Sequence, residues 1–477
     1  MRSSRYVPIV LVGALVLALM LVIPAGAQAT WVTTQLTTDA HGHDAPHISG
    51  DRVVWSGFDS THYQIYTRRM GADAAPVPVT VDAHEHWDPQ VSGERVVWIG
   101  SVGAYGQVFT RKFGVDGAPV TITTDAHDHS APQASGDRVV WIGDIGGSGQ
   151  VFTRKFGVNA APVPVATDFW DDFGPQVSGD RVVWTSDNGS DWQVFTRKVG
   201  SEATFTKLST DSWDVRAPQV SGDRVVWLGW DGAHVQVFTR KLGVNAAPVK
   251  LTTGNSHDLP VVSGDRVVWL GFDGAHWQVY TRKIGVNATA TKLTTDAHNH
   301  SFPQVSGNQV VWLGSDGTHD QVFTRNIGID PGPVKLTSDA HDHASVQVSG
   351  ARVVWRTNLS ANWQIFYAKP LTKPVIVRSP DKNSITVKRK NGVAHYTLSA
   401  TVRDTDHTLA AGKRTFLQTS KNGKTWASAY KLVTNSAGFV SQAFQASAPS
   451  KTYFRWYCPV SAGYKAAAST KQKVVVK

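Results

Sequence analysis

A tryptophan returns every 42 or 43 residues along this chain, at Trp55, Trp98, Trp141, Trp184, Trp227, Trp269, Trp312 and Trp355. Around each lies a near copy of Ser135-Gly136-Asp137-Arg138-Val139-Val140-Trp141. A period this regular means one supersecondary unit repeated eight times, each copy too small to bury its own apolar face. Whatever the chain does, it does on a repeat architecture.

The second copy shows the unit. Pro89-Gln90-Val91 runs into the turn Ser92-Gly93-Glu94 and on into Arg95-Val96-Val97-Trp98. After a variable loop come Gln107-Val108-Phe109-Thr110-Arg111-Lys112, then Pro119-Val120-Thr121-Ile122. Gly-Asp or Gly-Glu between two apolar runs signals a tight hairpin. Val-Val-Trp is apolar at consecutive positions, so its strand should be covered on both faces. Helix signals are nearly absent and Val, Thr, Gly and aromatic residues dominate, which makes the class all-β. Four strands in about 43 residues is the blade pattern of a β-propeller. An extra strand, Trp31 to Thr38, precedes the first copy, and the eighth copy supplies only three strands. The expectation is an eight-bladed ring over residues 30–370, closed by the N-terminal strand.

The pattern Pro-x-Val-Ser-Gly-Asp-Arg-Val-Val-Trp followed by Gln-Val-Phe-Thr-Arg is similar to the TolB-like propeller repeats of bacterial and archaeal surface proteins. The resemblance covers roughly Ala40 to Lys369, although the family's hairpin usually reads Ser-Pro-Asp-Gly. It implies exported binding and scaffolding roles more often than catalysis.

Two further segments flank the array. Arg2 and Arg5, the apolar run Val7 to Ile23, Pro24 and Ala27-Gln28-Ala29 describe a secretory signal over residues 1–29. The protein is therefore expected outside the cytoplasm, secreted or at the cell surface, with membrane attachment only if the signal stays uncleaved. Residues 371–477 abandon the repeat for seven or eight strand-like runs, the pattern of an immunoglobulin-like sandwich. From Lys369 onward there are 19 Lys and Arg against 3 acids, so this part is strongly basic. It is expected to meet an anionic envelope polymer through Lys388, Arg389, Lys390, Lys413 and Arg414. The sole cysteine, Cys458, can form no internal disulfide.

Residues that recur in every copy build the blade, so function is expected where the copies differ. The between-blade loop reads Asp-Ala-His-x-His in five copies, giving His41 and His43, His84 and His86, His127 and His129, His298 and His300, and His341 and His343. With His257 and the within-blade His62, His234, His276 and His319, 15 of 18 histidines are expected on one rim. In extended backbone His-x-His puts both rings on one side, the start of a Zn, Cu or Ni site. Against that stands the reading of the same histidines as loop anchors copied with the repeat, and a third is a rim that charges below about pH 6.5.

The fourth and fifth copies replace imidazole with Phe169, Trp170, Asp171 and Asp172, and with Trp213 and Asp214; Trp192 and Trp230 join them from the within-blade loops. Flat rings beside carboxylates suit a sugar or a basic peptide. There is no His-Glu-x-x-His, no Gly-x-Ser-x-Gly and no phosphate-cradling glycine loop. The expectation is a monomeric binding or scaffold protein with a surface glycan or protein as ligand, no specific nucleic acid and no enzymatic activity. A transition-metal protein and a glycan-active enzyme are the alternatives.

Overall fold

The computed structural model describes residues 31–477 apart from 167–169, 188, 210–213, 360–361, 371–374, 380–383, 392, 404–413, 436–438 and 459–466. It is all-β, and residues 31–370 form four-stranded antiparallel sheets of the propeller kind, one per copy. In the first sheet the strands run His43–Ser49, Arg52–Phe58, Tyr63–Arg69 and Val77–Pro78 in spatial order. The outer strand is only two residues long in seven sheets, a length that offers little edge for pairing with another chain. The eighth sheet differs: His343–Ser349, Arg352–Leu359 and Asn362–Pro370 are completed by Trp31–Gln35, in register from Trp31 opposite Pro370 to Gln35 opposite Phe366.

Each Arg-Val-Val-Trp strand is buried at four consecutive positions, as its composition requires, except that Arg352 is only half-buried. All eight tryptophans are at most 1% exposed. Trp98 faces Phe109 across the strand pair, with centroids 5.9 Å apart and planes 14° from parallel. The apolar clusters lie between sheets: Val54, Ile65 and Val79 of the first pack on Val91, Val96 and Trp98 of the second. Burying an aromatic or aliphatic side chain of this kind stabilises by about 1.5–3 kcal/mol, so each sheet draws stability from its neighbours.

The recurrent Ser-Gly-Asp-Arg turn is explained by the same seams. The amide of Gly93 donates to Ser49 Oγ of the preceding sheet at 2.9 Å, Gly136 to Ser92 and Gly179 to Ser135 likewise, and Gly50 of the first sheet donates to Ser349 of the eighth at 2.8 Å. Arg95 is buried over the Phe156 ring, 3.9 Å from its centroid, and reaches Asp137 of the next sheet at 2.9 Å. Arg138 repeats the contact with Asp180.

The basic C-terminal part contains two sheets. One is three-stranded, Val375–Ser379, Ala394–Arg403 and Phe439–Ala446; the other is six-stranded and includes Ser384–Val387, Arg414–Ser420, Ala427–Val433, Ser450–Cys458 and Gln472–Val476. They share a core of Leu398, Ala400, Leu417, Val440, Phe454, Trp456 and Val474. Cys458 is buried and free of disulfide.

Candidate functional site

The loops between sheets and those between second and third strands meet on one face, as expected. His41 Nε2 lies 3.0 Å from Ser60 Oγ, and Gln107 Nε2 donates to the carbonyls of Asp125 and His127. That glutamine recurs because it ties the between-blade loop to the blade before it.

The histidine pairs do not share a side. The loop is a turn rather than extended chain: Asp82 Oδ1 accepts the amide of His84 at 3.0 Å and the Nε2–H of His86 at 2.9 Å. His84 is left exposed, whereas His86 is 2% exposed and takes the indole N–H of Trp98 on Nδ1 at 3.1 Å. The same split separates exposed His127 and His298 from buried His129 and His300, and half-buried His41 and His341 from buried His43 and His343. His129, His300 and His343 bond Asp125, Asp296 and Asp339 as His86 bonds Asp82, and His43 bonds Asp39. The expectation of paired metal donors is corrected accordingly: one imidazole of each pair is consumed by the fold. Among the described residues no group of three or more His, Cys, Asp or Glu side chains is gathered closely enough to hold a metal ion.

These anchors make stability pH-dependent. Burial pulls the imidazoles of His43, His300 and His343 below their ordinary value, against the opposing pull of the partner aspartates. A folded pKa below the unfolded value means that the unfolded chain binds more protons, so stability falls as pH drops below about 6.5. The urea midpoint is expected to be lower at pH 5 than at pH 7. His300→Val, which removes one titrating anchor, should shrink that difference, and a midpoint unchanged between the two pH values would contradict the account.

The aromatic-acidic sector is reorganised too. Phe169 and Trp213 lie outside the described residues. Asp171 and Asp214 are backbone caps, accepting the amides of Gly149 at 2.7 Å and Trp192 at 2.9 Å. Asp128 does the same for Gly106, so these carboxylates continue a structural position. Asp172 occupies the place of the buried histidine, is 0% exposed and accepts the amide of Val151 at 3.2 Å. Elsewhere a threonine or serine hydroxyl takes that amide, as Thr123 does for Val108 and Ser209 for Val194; Ala166 stands in the hydroxyl's place here. Trp170 packs on Phe195 and Trp192 on Phe173.

What remains open is the mouth of the fifth sheet. There Val215 stands where five other sheets bury a loop-bonded histidine. The cleft of this sheet, about 480 Å³, is lined by Asp214, Arg216, Leu228, Gly229, Trp230 and Val235 rather than by Val215. Arg216 is exposed, and among the described residues no carboxylate lies within ion-pair distance of it. Trp230 is 36% exposed. The cleft thus offers an apolar wall, a flat ring and a cation. Arg216 was not among the residues expected from sequence, and its position, held by Asp44, Trp87, Ser130, Phe173, Asp258, Ser301 and Ala344 in the other copies, varies too much for the arginine to stand out.

Of the basic residues, Lys388, Arg389 and Lys390 are exposed, but Arg389 Nη1 donates to the Ser447 carbonyl at 3.0 Å. Lys413 lies outside the described residues, and Arg414 opens a strand opposite Val433.

No protein-family model and no curated protein matches the sequence. Among solved structures the chain is similar to the β-propeller domain of the Trilobed protease from Pyrococcus furiosus, at 12% identity, 63% coverage of this chain and 97% of that one, TM-score 0.45. It is similar to a prolyl endopeptidase at 11% identity, 77% and 55% coverage and TM-score 0.48, and to TolB from Acinetobacter baumannii at 13%, 63% and 78%, and 0.34. The acylaminoacyl peptidase of Pyrococcus horikoshii matches at 10% identity, 67% and 58% coverage and TM-score 0.43. The chain spans little more than half the length of these last two peptidases' chains, 55% and 58%. Because peptidases stand among its structural neighbours, the expectation that the chain is not an enzyme is withdrawn.

Proposed function

We propose that this is an exported binding protein built as an eight-bladed propeller, its ring completed by the N-terminal strand and followed by an immunoglobulin-like sandwich, and that its ligand is a carboxylate-bearing sugar held in the fifth-blade cleft. The signal-like segment before residue 30 supports export. The cleft of about 480 Å³ in which exposed Arg216 and half-exposed Trp230 stand together carries the ligand reading. A guanidinium that meets no carboxylate among the described residues suits an acidic group, and a half-exposed indole suits the flat face of a sugar ring.

The test uses galacturonate trimers and their neutral methyl esters at physiological salt. The acid form should bind and the ester bind at least about tenfold more weakly, one charge-assisted contact being worth about 1.5–3 kcal/mol. Arg216→Gln should erase that preference and Trp230→Ala should weaken both forms. Equal binding by wild type and both variants would reject the cleft.

A further inference from the structure

The C-terminal part carries a second surface. In the strand Ser450–Cys458, Phe454, Trp456 and Cys458 are buried, between 1 and 4% exposed. Side chains alternate across a strand, so Lys451, Tyr453, Arg455 and Tyr457 face outward. On the neighbouring strand Val474 and Val476 are buried, which turns Lys473 outward, and its register partner is Tyr453. Three cations therefore stand on one sheet face, Lys451 and Arg455 about 13 Å apart along their strand and Lys473 opposite Tyr453 between them, about 7–8 Å diagonally from each.

Rings hold two of these cations in place. The Arg455 guanidinium lies 4.5 Å from the Trp426 ring centroid, and its Nε donates to Gln418 Oε1 at 2.8 Å. Lys451 Nζ is 5.6 Å from the Tyr453 centroid, and the hairpin residue Gly423 sits so close to that ring that a Cβ there would be 3.4 Å from it. From residue 407 to 477 the sequence has eleven Lys and Arg and no Asp or Glu. Among the described residues none of the three cations meets a carboxylate within ion-pair distance.

We propose that this face, rather than the Lys388–Lys390 segment, is a binding surface for a linear acidic polysaccharide, its carboxylate or sulfate groups pairing with Lys451, Lys473 and Arg455. Positioned cations without counter-charges attract a polyanion. Single-stranded nucleic acid fits less well, because its readers present open rings for base stacking, and here Trp426 and Tyr453 are covered by Arg455, Lys451 and Gly423. A bilayer surface also asks for exposed apolar side chains beside the cations. The surface is separate from the fifth-blade cleft and stands or falls without it.

The experiment uses the full chain carrying Trp230→Ala and Arg216→Gln, so that the cleft cannot contribute. Polygalacturonate and dextran sulfate separate carboxylate from sulfate; neutral dextran, oligothymidylate and vesicles containing phosphatidylglycerol are the competing probes. The acidic polysaccharides should bind and dextran should not. Lys451→Gln/Arg455→Gln/Lys473→Gln should weaken binding at least about tenfold, whereas Lys388→Gln/Arg389→Gln/Lys390→Gln, removing equal charge, should weaken it less than about threefold. Arg455→Lys, which keeps the charge and disturbs folding least, should still lose affinity through its stacking on Trp426. Equal losses in the two triple variants, an Arg455→Lys protein that binds like its parent, or tighter binding to oligothymidylate or vesicles would overturn the proposal.

Discussion

Removal of Trp31–Asp39 should lower the melting temperature of the protein by about 10 °C or more, several kcal/mol of lost contacts in a large cooperative unit. The segment is the outer strand of the last sheet, paired with Phe366 through Pro370. Its consequences reach further than five backbone pairs. Leu36 donates its amide to Ile365 at 2.7 Å, Thr37 Oγ1 accepts the Ile365 amide at 2.9 Å, and Leu36 is 3% exposed among Ile48, Val53, Trp55, Val354, Ile365 and Tyr367. That cluster spans the first and eighth sheets. Gln364 also reaches the carbonyls of Asp39 and His41, and Arg356 pairs with Asp44 at 2.6 Å. Deleting the strand removes the roof of the seam between the two ends of the array. Tryptophan fluorescence during heating measures the loss, and a synthetic peptide of residues 31–39 added in trans should restore part of it. A truncated protein that melts with its parent would mean that the eight sheets do not depend on being joined end to end.

The repeat, the all-β class, the double-sided burial of Arg-Val-Val-Trp and the placement of Trp31–Gln35 were legible because each follows from local patterning summed over eight copies. The opposed histidines were not legible by that route. His86 and His84 were placed on one side by assuming extended backbone, and the side chain of Asp82 overrides that assumption by turning the loop. A usable signal existed in the pairing of His43, His86, His129, His257 and His300 with Gly57, Gly100, Gly143, Gly271 and Gly314, fourteen residues later. A glycine locked to an imidazole at fixed spacing indicates a ring lying flat on the opposite strand. Also unread was the bulge in every inner strand, where Ala45, Asp88, Ala131 and Ala217 adopt φ between 48° and 52°, each just before a proline. Such non-glycine conformations cost about 1 kcal/mol or more each, and tertiary pairing has to impose them. In the C-terminal part the charge excess was countable, but which cations share a face depends on which of two alternating sets is buried, and that is set by Leu398 and Val440 of the other sheet.

Gly100→Ala should destabilise the protein by about 1–3 kcal/mol, the usual cost of overpacking a filled site, and Gly100→Thr, although larger, should cost less. A Cβ at Gly100 would press on His86, 2.7 Å from its Cε1, and stand 2.9 Å from the Phe109 ring. Alanine supplies that clash and nothing else. The eighth sheet shows why threonine is better: there Thr357 occupies the glycine's place, takes the Trp355 indole N–H at 3.0 Å and lies 2.8 Å from His343 Nδ1. In the second sheet Trp98 bonds His86 directly, so a threonine hydroxyl at position 100 can enter between them as it does in the eighth. Part of any advantage reflects the better strand propensity of threonine, up to about 1 kcal/mol. His86→Val isolates that part, since valine is what the fifth sheet carries at Val215 opposite Gly229. In the His86→Val background Gly100→Ala should become markedly less costly, and the gap between Ala and Thr should shrink to the propensity difference. Gly117→Ala, where a Cβ meets nothing within 4 Å, should be close to neutral in either background. Urea unfolding of the resulting cycle measures each term; a Thr variant less stable than the Ala variant, or no coupling between positions 86 and 100, would mean that the imidazole does not rest on the glycine.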